Sequence, residues 1–312
     1  MGSFTEEEFR LTFRVRFRLF NKILAKIRPR ITTLHVAQAN RSSVGEVIPE
    51  VRLCCALRWL AGGAVTDIAR IHRVSRAEVY KTVWIVADAI NESYPFSFPA
   101  SDDLDGLLAL ERGFRSKSSR QCFKGCVGAV DGITVKIRRP RFPTETLNPA
   151  RFFCGRKKFF CLNLQAVCDF KCRFTFADIR YPGSSSDSLA FRSTSLGQCV
   201  LKDNLPNGLF LVGDAAYTLT NSLLTPYPGL LANIGVAADA YNFYLSQQRI
   251  TIERAFGIPV RRFGCLWRSL ECRFDRAAQV AVCCMRIHNL CIDDGDCDFG
   301  SSDLDAASAF KG

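Results

Sequence analysis

Apolar residues recur at helical spacing through residues 9–31, where Phe9, Phe13, Phe17, Phe20, Leu24 and Ile27 fall along one side, predicting one long amphipathic helix. Arg10, Arg14 and Arg18 line another side, and Arg16, Lys22, Lys26, Arg28 and Arg30 add charge without an intervening acid. Residues 49–60 predict a second helix ended by Gly62 and Gly63, and residues 66–72 a short third. After a turn at Arg73 and Val74, Ser75 followed by Glu78 reads as a capping box that opens a fourth. From 94 to 105 the pattern breaks at Pro95, Pro99, Asp102, Asp103 and Asp105, which predicts a linker. The period then shortens. Residues 126–137 (CVGAVDGITVKI), 159–169, 174–181 and 209–214 are short apolar runs that predict strands. Residues 242–256 return to helical spacing with Leu245, Ile252 and Phe256 on a core face, and residues 276–292 predict a last helix.

Two strands of this set carry an acid where an apolar residue is expected. Asp131 interrupts the first, and Asp214 ends LFLVGD, while Glu253 lies beside the core face of the 242–256 helix with Arg249 one turn earlier. An unpaired acid inside an apolar strand is costly unless a cation meets it. Two strand aspartates and a helix glutamate form an oxygen-donor set suited to magnesium or manganese. A pair of such ions about 3.5–4 Å apart activates water and steadies the leaving oxygen of a phosphodiester. Each acid taken alone also fits an ordinary solvated or paired carboxylate. Asp187, in PGSSSDSLAF, either caps a helix with its serines or adds a fourth acid beside the metal.

Charge sharpens the choice of partner. The 312 residues carry a formal net charge of +12, with a pI near 9.1, which favours a polyanion such as a DNA or RNA backbone, with a membrane surface as the competitor. Residues 114–173 hold fourteen Lys and Arg against Asp131, Glu145 and Asp169. Within them, the 138–158 loop sets Arg138, Arg139, Arg141, Arg151, Arg156, Lys157 and Lys158 among Phe142, Phe152 and Phe153. That mixture would grip a backbone and stack a base beside the metals. The helical order over 49–93 matches a helix-turn-helix, whose capped helix offers Arg76, Tyr80 and Lys81 to DNA. A plain helical bundle shares that order, and the basic 9–31 helix equally fits phosphate contact, a membrane surface or core packing. The fifteen cysteines are odd in number and accompany no signal-like start or membrane-length apolar run, predicting a reduced intracellular protein. They read as small buried hydrophobes, with structural zinc at the CxxxC pairs Cys122/Cys126 and Cys168/Cys172 as the alternative. His288 reads as a packed helix residue.

Several blocks resemble Harbinger (PIF-type) transposases and the nucleases derived from them. AVDGITVKI is similar to their first-aspartate block and RYPGSSSDSLAFRSTSL to their PGSxxDS block. LVGDAAYTLTNSLLTPY, QQRITIERAFGIPVRRFGCL and RIHNLC resemble the second-aspartate, RxxxExxFG and closing LHN blocks, in the same order. The resemblance implies a ribonuclease-H-like α/β catalytic domain over 126–292 and a D, D, E triad of Asp131, Asp214 and Glu253 holding two Mg2+ or Mn2+ ions. Asp187 and Arg249 would be auxiliary. Residues 1–100 then form an all-α helix-turn-helix region, 101–125 a linker, and 293–312 an acidic, disordered tail. The implied activity is a metal-dependent DNA endonuclease or transposase. It would act in the nucleus with a separate Myb-like DNA-binding partner, stay cytoplasmic without it, and leave a homodimer open. Two other classes stay open: a domesticated DNA-binding or chromatin protein without catalysis, and a metal phosphoesterase acting on RNA or nucleotides.

Overall fold

A computed structural model describes residues 4–32, 47–121, 123–228 and 235–297. In chain order its helices are α1 (Glu6–Phe13), α2 (Phe17–Ile31), α3 (Pro49–Leu60), α4 (Val65–His72), α5 (Arg76–Ser93), α6 (Leu104–Lys117), α7 (Asp187–Arg192), α8 (Ser195–Leu201), α9 (Val236–Arg262) and α10 (Phe274–Asp293). The strands are β1 (Cys126–Lys136), β2 (Phe153–Cys154), β3 (Phe159–Cys168), β4 (Phe174–Pro182), β5 (Phe210–Val212) and β6 (Leu223–Leu224). The described residues fall into two units, one within 1–95 and 258–304 and the other within 96–257.

In the first unit, the single helix expected over 9–31 is two. Arg14 takes a left-handed φ of 65° after α1, and α2 restarts at Phe17. Aromatic packing explains the break: the rings of Phe9 and Phe20 lie 5.5 Å apart, whereas eleven residues of straight helix would separate them by about 16 Å. Ser75 caps α5 by accepting the Glu78 N–H at 3.0 Å. The Glu78 carboxylate does not complete the expected box but meets Arg52, a buried α3 residue, at 3.0 Å.

The last helix also departs from expectation, because α10 belongs to this unit and not to the strand-bearing one. Its buried stripe includes Ala277, Val280, Ala281, Cys284 and Ile287, with His288 packed among them at 0% exposure. Asn91 donates to the Gln279 carbonyl at 3.0 Å and Arg286 to the Tyr94 carbonyl at 2.7 Å, so α10 is bonded to the end of α5. The tail begins equally ordered. Asp294 and Asp296 are buried; Arg262, wholly buried, donates to Asp296 Oδ2 at 2.8 Å, and Arg10 to its Oδ1 at 2.8 Å. Arg18 and Lys22 reach Asp294 Oδ1 at 2.8 and 3.2 Å. Thus cations of the first two helices are met by acids expected to be disordered. Residues 298–312 of that expected tail lie outside the described residues.

In the second unit, β4, β3 and β1 run antiparallel in sequence, and β5 and β6 continue the sheet parallel to β1. β2 pairs only with the first residues of β3. The stretch expected as a linker, 101–125, holds α6 instead. Asp103 caps it by accepting the Gly106 N–H at 3.0 Å, and Asp105 favours its first turn. Leu107 and Phe114 are then completely buried. One core gathers Leu107, Val127, Val130, Val167, Phe191, Val200, Leu211, Tyr217 and Leu223, which packs α6, α7 and α8 on the sheet.

Candidate active site

Strand register places the first two acids. In the parallel β1/β5 pair Ala129 stands opposite Val212. Two residues further along come Asp131, on the same face of β1 as Ala129, and Asp214, beyond the last residue of β5. Asp131 is 7% exposed and accepts the Gly132 N–H at 2.8 Å. Asp214 lies just past the end of β5, where its Oδ1 accepts the Ala216 N–H at 2.9 Å and closes the turn.

The helix carrying the third acid crosses that face. Near its start Tyr241 donates to the Thr225 carbonyl beyond β6 at 3.1 Å, and further on the Phe256 ring sits 5.5 Å from Phe174 of β4. Phe174 pairs with Cys168, and Cys168 with Ala129. Cross-strand partners share a face, so α9 lies over the Asp131 side of the sheet. Leu245, Ile252 and Phe256 are buried as its pattern predicts. Glu253 accepts from Arg249 at 3.0 Å, one turn back along the helix. Among the described residues no three His, Cys, Asp or Glu side chains stand in a preformed metal cluster. The donor chemistry nevertheless fits a hard divalent cation, because Asp131, Asp214 and Glu253 are all carboxylates.

Asp187 lies behind β1. Gly132 pairs with Gln165 and Thr134 with Asn163, so these four occupy the face opposite Asp131. There Asp187 Oδ1 accepts from Asn163 and Gln165, each at 2.9 Å, and a Cβ on Gly132 would fall 2.2 Å from the same oxygen. Asp187 is the first residue of α7 and Ser186 is the cap, accepting the Leu189 N–H at 3.3 Å. Tyr217 donates to Gln165 Oε1 at 2.7 Å. Burial first, then the charges of Asp131, Asp187 and Asp214, push its phenol well above the ordinary value, against the Gln165 bond. Sequence reading missed Asn163, Gln165 and Tyr217. The signal was present in FFCLNLQAVC, where two amides stand two residues apart in an otherwise apolar strand.

The basic loop is divided in its commitments. Lys157 reaches Thr134 Oγ1 at 3.2 Å. Burial, then the neighbouring Arg156 charge, lowers its ammonium pKa, while Asp187 pulls the other way. Arg156 and Lys158 flank it and are exposed, as are Arg139 and Arg141. Arg139 lies over the Phe160 ring, 5.9 Å from its centroid. Arg138, expected to contact DNA, is instead half-buried and ion-paired with Glu145. Phe142 and Phe153 are exposed whereas Phe152 is buried. On α5, Arg76, Tyr80 and Lys81 are exposed, and Tyr80 stacks on Trp84 with centroids 6.3 Å apart.

A family model described as "DDE superfamily endonuclease" matches residues 130–289, just over half the chain. The chain is 27% identical over 255 residues to the Mus musculus protein named "Putative nuclease HARBI1", covering 80% of this chain and 69% of that one. It is 24% identical over 311 residues to the Arabidopsis thaliana "Protein ALP1-like", covering 94% of this chain and 72% of that one. No solved structure matches.

Proposed function

This chain belongs to the DDE superfamily endonucleases, in the Harbinger-derived group its sequence blocks resemble, and from that membership we propose a metal-dependent endonuclease or transposase acting on DNA phosphodiesters. One observation supports the site: the Ala129–Val212 pair, which lies two residues before Asp131 in β1 and two residues before Asp214 beyond the end of β5. Those two aspartates and Glu253 would hold Mg2+ or Mn2+. Bound there, two such ions supply Lewis acidity for an attacking water or 3′ hydroxyl and for the departing oxygen. Arg249 holds the Glu253 carboxylate at 3.0 Å and so sets where it rests before a cation competes for it. Exposed Arg139, Arg141, Arg156 and Lys158, with Lys157, give the phosphates cationic partners near the aspartate strand. The mixed sheet, with α6, α7 and α8 packed on it, supports a ribonuclease-H-like domain. The α3, α4 and α5 order supports a helix-turn-helix that delivers duplex DNA. Nuclear action beside a Myb-like protein is part of the same proposal, and nuclear accumulation of the chain expressed alone would remove that dependence.

The test is cleavage of a labelled duplex with magnesium, with and without a chelator. Asp131→Asn, Asp214→Asn and Glu253→Gln should each abolish cleavage while DNA affinity holds or rises, since each keeps size and removes a metal-binding charge. Full cleavage by any one variant takes that residue out of the site. A second class, a DNA-binding relative without catalysis, is favoured by the Arg249–Glu253 pair, which engages the third acid. Salt-sensitive DNA binding with no cleavage under any divalent metal would select it.

A further inference from the structure

Within the first unit, α3, α4, α5 and residues 265–272 surround a cavity of about 670 Å3. Trp59, Arg76, Tyr80 and Arg268 line it, with Glu271 as the acid among them. An adjoining cavity of about 460 Å3 is lined by Arg70, Arg73 and Arg76, and the two share Thr66 and Arg76. Arg70, Arg73, Arg76 and Arg268 are all exposed. Tyr80 is 44% exposed and is backed by Trp84, on which it stacks, while Trp59 meets Trp84 edge-on at 5.8 Å. The result is a concave surface with a braced aromatic wall and four guanidinium groups around it.

Duplex readers push a convex helix into a groove about 12 Å wide. Here Arg76 and Tyr80 also form the wall of a concavity whose volume suits a compact molecule of nucleotide size. A stacking ring combined with backbone-seeking arginines is the combination that holds unpaired bases without regard to sequence. An acidic peptide would use the cations but leave the exposed Tyr80 ring unused.

We propose that this surface binds single-stranded nucleic acid, an unpaired base stacking on Tyr80 while its flanking phosphates meet Arg70, Arg73, Arg76 and Arg268. The proposal rests on the DNA-acting function above and adds to it a site for a frayed, displaced or overhanging strand. Arg70, Arg73, Trp59 and Arg268 carry no such assignment from sequence, because the last two come together with α5 only in the folded unit.

The test uses the full chain and measures anisotropy of a labelled single strand of about 12 nucleotides, a blunt duplex, and the duplex with an unpaired overhang. The overhang should bind more tightly than the blunt duplex. Tyr80→Ala should lower the ratio of single-strand to duplex affinity about tenfold, and Tyr80→Phe, which keeps the ring, should restore it. Arg268→Ala should flatten the salt dependence of single-strand binding by about 0.7 log units for each phosphate the protein no longer neutralises. Thermal melts confirm that each variant is folded. Folded Tyr80→Ala and Arg268→Ala proteins with unchanged single-strand affinity and salt slope would overturn the proposal, as would displacement of the strand by a polyglutamate peptide in preference to unlabelled oligonucleotide. Tyr80-dependent single-strand binding in a chain that neither cleaves nor binds blunt duplex would retain this site and overturn the nuclease function instead.

Discussion

At Gly132 one hydrogen in place of a methyl group holds the site open on its hidden side. A Cβ there would lie 2.2 Å from Asp187 Oδ1 and 2.4 Å from Gln165 Nε2. Gly132→Ala must therefore displace the carboxylate or the strand, at about 1–3 kcal/mol, the usual cost of overpacking. Urea denaturation measures it, and a variant as stable as the parent would show that the network yields freely. Gln165 joins Tyr217 to Asp187 and so links the turn after Asp214 to the strand beneath Asp131. Gln165→Leu leaves the buried phenol without its acceptor, at about 1–3 kcal/mol. Cleavage should fall further than stability does, because the turn carrying Asp214 loses its brace. Equal losses in both would reduce the network to ordinary packing.

Elements act through what their ends are tied to. The 138–158 loop leaves β1 a few residues after Asp131, about 3.3 Å per extended residue, and Lys157 folds back onto Thr134 of that strand. Replacing Arg156, Lys157 and Lys158 with Ala should weaken DNA binding and cleavage together. The salt dependence should flatten by roughly 0.9 log units for each phosphate left without its cation. An unchanged slope would move the DNA path elsewhere. The segment after α10 is tied by charge. Burial opposes ionisation of Asp296, but hydrogen bonds from Arg10 and Arg262 outweigh it and hold its carboxyl below the ordinary value. A depressed folded pKa contributes stability that is present above the unfolded value, about 3.9, and is lost as pH falls through the folded one. Melting temperature should therefore drop more steeply below about pH 4 in the parent than in Asp296→Asn. Parallel curves for the two proteins would remove Asp296 as a source of acid lability.

For the whole molecule, the first unit is built from both ends of the chain. A fragment of residues 1–100 would lack α10, which supplies Gln279 and Arg286 to the end of α5 and buries an apolar stripe. Such a fragment should expose that surface and melt without a cooperative transition. A chain joining residues 1–95 to 258–297 should fold, and circular dichroism distinguishes the two. Ending the full chain at Ile292 removes Asp294 and Asp296 and leaves Arg262 buried without its carboxylate. Breaking a buried pair from one side typically costs about 3–5 kcal/mol. Ending it at Cys297 retains both acids and is the control.

The strands and helices were legible wherever one period held: Asp131 stands within a strand, Asp214 just past the end of one and Glu253 beside a helix core face because local pattern sets all three. Ser75 and its cap were equally local. What the sequence could not decide was every pairing across distance. A straight 9–31 helix satisfies periodicity as well as two helices do, and only the approach of Phe9 to Phe20 selects the break. The acids after α10 look solvated when read along the chain and become buried once Arg262 and Arg10 converge on Asp296. Asp187 reads along the chain as a helix-capping residue sooner than as a ligand, and register then puts Gly132, whose Cβ would meet Asp187, on the face opposite Asp131. Chain order carries local geometry, whereas the face on which a charge lands, and the charge that answers it, follow from tertiary contacts between residues as far apart as Arg10 and Asp296.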